Sequence, residues 1–143
     1  MMEFKVYGSE AEIEEVVRGF ECCEFKPEEF VHARHLTVAA WYFLQCDEKE
    51  AGERMRAGLV KFIRHHGRSG YHVTITEFWL RLVARAVGKA RAESEAIRVI
   101  NGVVERLNDK SLIYEYFSRE RVDSAEAKAG WLEPDLKALP GVE

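Results

Sequence analysis

Histidine is the side chain whose ordinary pKa lies nearest neutrality, and its neutral ring is the commonest protein ligand of transition metals. Three of the chain's five histidines stand where they could act together. These are His32 and His35 in "EEFVHARHL", and His72 in "GYHVTITEFW". Helical positions three apart differ by about 60° in direction, so His32 and His35 face one spot, and Ala39 and Tyr42 continue their stripe. His72 lies two residues before Thr74, which reads as a helix N-cap, and Thr76 follows on the first turn. If one antiparallel helix separates the helix of the pair from the helix after His72, those two run parallel and begin at the same end, which lets three imidazoles converge. Three nitrogen donors with an open fourth position suit zinc, and similar donors suit iron, nickel or copper. The expected site is a histidine-lined pocket for a divalent transition metal or a small-molecule ligand. In it His32, His35 and His72 are metal ligands, or an acid or base, and Tyr42 and Thr76 lie against whatever is bound.

The plainer reading makes the histidines structural, each with one satisfied nitrogen filling a helix interface. The chain would then be a noncatalytic interaction or dimerisation module, working as a homodimer. Glu29 and His32 have the Glu-x-x-His spacing of di-iron bundles, but that design needs a second copy and the chain has none, so Glu29 reads as a first-turn acid favoured by the helix dipole. His65 and His66 end a helix before "GRSG", where a histidine is favoured by the helix C-terminus, and they stay outside the site. Cys22, Cys23 and Cys46 form neither a disulfide framework nor a zinc knuckle and read as reduced thiols. There is no phosphate-binding glycine loop, nucleophile elbow or His-Glu-x-x-His motif.

Composition narrows the class further. At 143 residues, with 47% hydrophobic and 32% charged, the chain fits a single domain with a full core. A net charge of -4, with acids interleaved among the bases, supplies no footprint for nucleic acid. No apolar run is long enough to span a bilayer, and "MMEFKVYGSEAEIEE" has no signal-peptide pattern, so the expectation is a cytoplasmic protein away from membranes.

The elements that must position the histidines read as helices. Ser9 with Glu12, Asp47 with Glu50, Thr74 with Glu77 and Asp123 with Glu126 have capping-box spacing, and Pro27 before two glutamates marks another start. These signals predict helices near 10–21, 27–45, 48–66, 75–88 and 92–107, with short ones near 111–118 and 124–131. The second and fourth are apolar nearly all round and should be the central pair; the third is amphipathic, closed by Gly67. The fold class is all-α: a single-domain up-and-down bundle of about five main helices, with short C-terminal helices and an extended tail anchored by Trp131, Leu132, Leu136 and Leu139.

"FVHARHL", "YHVTIT" and "YFSRERVDSAEAKAGWLEPDLKALP" together resemble a group of small bacterial helical proteins with no assigned activity. The shared marks are the histidine pair, the Tyr71-His72-x-Thr74-x-Thr76 stretch and the Pro134-Asp135-Leu136 tail. The resemblance implies that these histidines belong to one site and brings no chemistry with it. Arg34, between the paired histidines, departs from the acid often found there.

Overall fold

In the computed structural model, which describes residues 6–90 and 95–140, every regular element is helical and no strand occurs among the described residues. The main helices are α1 (Glu10–Glu21), α2 (His32–Gln45), α3 (Glu48–His65), α4 (Val73–Ala90) and α5 (Ala96–Leu107). A 3₁₀ helix at Lys110–Glu115 and two short helices, α6 (Arg119–Val122) and α7 (Ala125–Ala129), follow. The expected first residues of the fifth helix, 92–94, and the last three residues of the tail lie outside the described residues.

Two of the four caps form where the spacing placed them. Ser9 Oγ accepts the Glu12 N–H at 3.3 Å, and Asp47 accepts the Glu50 N–H at 2.8 Å. The other two are displaced. Thr74 sits inside α4, fully buried, because its hydroxyl has other partners: it donates to the Gly130 carbonyl at 2.7 Å and accepts from the Leu132 N–H at 3.1 Å. The cap falls to His72, whose Nδ1 accepts from the Ile75 N–H at 3.1 Å. Near the C-terminus Asp123 closes α6, and Ser124 rather than Asp123 caps α7. α2 starts later than expected: residues 27–30 form a turn that places Phe30 in the core, and Val31 is the extended residue before the helix.

α3 ends as the glycine predicts. Gly67 takes φ 64°, its N–H reaches the Arg64 carbonyl and the Arg68 N–H reaches the Ile63 carbonyl, both at 3.0 Å. This crossed pair satisfies two orphan carbonyls, and only glycine enters the left-handed region without strain.

α2 is the axis of the bundle, in contact with α1, α3, α4 and α5. Its Leu36, Val38 and Ala40 pack with Ile13 and Phe20 of α1 and with Ile100, Val103 and Val104 of α5, all essentially inaccessible to water. Each of these side chains larger than alanine contributes about 1.5–3 kcal/mol of burial. A second cluster forms on the far side of α4, where Phe78 and Leu82 meet Ile113, Tyr116, Phe117, Val122 and Leu139. The tail closes over this side: Leu139 is buried, and Trp131 lies under the Arg81 guanidinium at 3.9 Å. Leu136, an expected anchor, is 58% exposed; its N–H, which donates to the Tyr116 carbonyl at 2.9 Å, does the fastening.

Candidate functional site

A cavity of about 190 Å³ lies where α2, α3 and α4 meet. α2 contributes His32, His35 and Ala39; α3 contributes Met55, Leu59 and Ile63; α4 contributes Ile75, Thr76, Trp79 and Val83. Tyr71 and His72, just ahead of α4, complete the wall. The starts of α2 and α4 therefore share one end of the bundle, and His32, His35, His72 and Thr76 border a single space. Tyr42 does not. It lies ten residues beyond His32, roughly 15 Å further along the axis, and its hydroxyl donates to Glu21 Oε2 of α1 at 2.6 Å. Burial first, then that carboxylate, raises the phenol pKa well above its ordinary value.

The three imidazoles share a cavity without forming a chelating set. His72 uses both ring nitrogens: Nε2–H donates to the Val122 carbonyl at 2.7 Å while Nδ1 caps α4. His32 Nε2 is bonded to the Leu107 carbonyl at 3.1 Å, and a carbonyl can only accept, so that nitrogen carries the proton. His35 lies flat on Phe30, ring centroids 3.9 Å apart. Among the described residues no group of three or more His, Cys, Asp or Glu side chains could hold a metal ion.

Burial also lowers the basicity of the pair. The His35 imidazole is pushed down to about 4 by desolvation, with the charges of His32 and Lys110 adding to it and a backbone hydrogen bond at Phe30 opposing. His32 is lowered by burial as well, against its bond to Leu107. Both are neutral at pH 7, so the cavity offers uncharged imidazole edges set in an apolar wall. Arg34, between them, points away: it donates to the Glu29 carbonyl at 2.6 Å and stands over the Phe25 ring at 4.5 Å.

Sequence reasoning missed Tyr71 and the α3 wall. The signal for the wall was present, since Met55 and Leu59 lie on the apolar face of α3. Tyr71 lines both the cavity and an outer groove along α3. Beside it Arg56 grips Glu77 through two bonds, 2.7 and 2.9 Å, which ties α3 to α4 at the mouth. A second groove backs onto the opposite wall and shares His32, His35, Ile75 and Trp79 with the cavity. No helix among the described residues is long and apolar enough to cross a membrane. No protein-family model, no curated protein and no solved structure matches the chain.

Proposed function

We propose that the chain is a small-ligand-binding helical protein, and that the cavity between α2, α3 and α4 takes one compact, mainly apolar molecule. The carrying observation is an internal space of about 190 Å³ that three helices leave open in an otherwise packed core. Protein interiors are close-packed, and a cavity of about 150 Å³ lined by apolar side chains can hold one benzene. This cavity has room for one substituted ring or an alkyl chain of similar bulk. Neutral His32 and His35, with the Thr76 hydroxyl, supply the few polar points that would orient a hydroxyl or carbonyl on the ligand. His72, bonded at both nitrogens, serves the fold rather than the ligand.

The test is titration of the protein with hexanol, followed by amide chemical shifts. Shifts should concentrate on α2, Tyr71 and the first turns of α4. Ala39→Leu, or Leu59→Phe from the facing wall, fills the space and should remove binding while leaving the fold intact or more stable. Absence of any shift up to millimolar hexanol, or unchanged binding in both filled variants, would refute the reading.

A further inference from the structure

Tyr71 lines both the cavity and the outer groove along α3, so a ligand passing it would lie in both. The two spaces differ in kind. The inner one is apolar and bordered by buried His32 and His35, where a charged group would lose its hydration without a counter-charge. The outer one is lined by Arg56, Lys61, Arg64 and His65, with no acid among its lining side chains. Glu77 neutralises Arg56. Lys61 gives one N–H to the Glu21 carbonyl, at 2.7 Å, and keeps two more; the Arg64 guanidinium has no partner among the described residues. The groove on the opposite wall has Lys110 balanced by Glu28 and carries no such excess.

We infer that the ligand is an amphiphile, its apolar end in the cavity and an anionic head, carboxylate or phosphate, held past Tyr71 by Lys61 and Arg64. This rests on the ligand-binding reading and adds the substrate class to it. Tyr71, which borders both spaces, is the point where the chain of the ligand would cross from the buried half to the wet half. The head stays in solvent, so its contribution is that of exposed ion pairs and is screened by salt.

The test compares hexanol, hexanoate and hexyl phosphate by calorimetry on the full chain, on Lys61→Gln/Arg64→Gln, and on Lys110→Gln as a control for the opposite groove. At low salt an anionic probe should bind roughly three- to fivefold tighter than hexanol. That preference should vanish in the double variant or in high salt, persist in Lys110→Gln, and leave hexanol affinity unchanged throughout. The stronger of the two anions names the head group. Equal affinity for all three probes, or loss of the preference in Lys110→Gln alone, would overturn the amphiphile while leaving the cavity reading standing. Failure of every probe to bind would remove both.

Discussion

The His32 ring stands edge-on to Trp79, centroids 4.3 Å apart and planes at 66°. One residue opens α2 and the other lies in the second turn of α4, so the contact joins the two helix starts across the back of the cavity. With Nε2 held by Leu107, the imidazole is fixed from two directions and acts as rigid wall. A rigid wall suits a cavity that must keep its shape while empty.

The first prediction concerns His72. A loop residue ordinarily costs little to remove; as the cap of α4 and a donor to Val122, His72 should cost much more. A lost cap is worth about 1 kcal/mol, and a buried carbonyl left unpaired about 1–3 kcal/mol. His72→Ala should therefore lower unfolding stability by roughly 2–4 kcal/mol in urea titrations. His72→Asn, which can still cap, should recover about 1 kcal/mol. A loss within about 0.5 kcal/mol of zero for alanine, the ordinary range for a surface substitution, would contradict the double role of His72 as cap and donor.

The second concerns pH. Histidines with folded pKa values below the ordinary 6.5 bind fewer protons folded than unfolded, so stability falls as pH falls through that interval. For His35 the window runs from 6.5 down to about 4, and below it the effect is complete. Its size is on the order of 3 kcal/mol. Asp109 and Asp135, whose pKa values are lowered by hydrogen bonds from Ser111 and Ser118, act in the other window: their stabilisation is present above 3.8 and fades beneath it. Replacing His35 with Gln should flatten the stability profile between pH 6.5 and about 4 while leaving the acid limb in place. A His35→Gln profile parallel to that of the parent would refute the assignment.

The third sets two glycines against each other. A Cβ on Gly58 would meet the Phe20 ring at 2.6 Å, and Phe20 is 1% exposed with nowhere to go. Overpacking costs about 1–3 kcal/mol and outweighs the gain of up to about 1 kcal/mol in helix propensity. A Cβ on Gly88, also helical, meets nothing within 4 Å. Thermal unfolding should show Gly58→Ala destabilised and Gly88→Ala stabilised. Equal shifts in one direction would show that Phe20 yields more easily than its burial implies.

The helical class and the boundaries of α1 and α3 were legible because side-chain spacing and caps are local properties. The common end of α2 and α4 followed from counting helices. What the sequence could not show was competition among hydrogen-bond partners. Thr74 has a capping residue's identity and spacing, yet Gly130 and Leu132, more than fifty positions later, claim its hydroxyl, and His72 takes the cap. Distant chain also engages a histidine that local spacing offered as a ligand: Val122, fifty positions later, accepts from His72 Nε2–H, while the local cap to Ile75 occupies Nδ1. Tyr42 shared the stripe of His32 and His35 by angle, but its height on the axis gave it to Glu21 instead.

The start of α4 is sealed by chain made long after it. Val122 lies 50 positions after His72, and Gly130 lies 56 after Thr74. At about 5–20 residues per second a ribosome needs ~3–10 s to supply fifty residues. During that interval α4 exposes Phe78 and Leu82, the face that the 3₁₀ helix and tail later cover. The nascent chain thus carries an uncovered apolar face on α4 for seconds, and a stop codon placed shortly before Val122 would leave part of that face uncovered in the released chain.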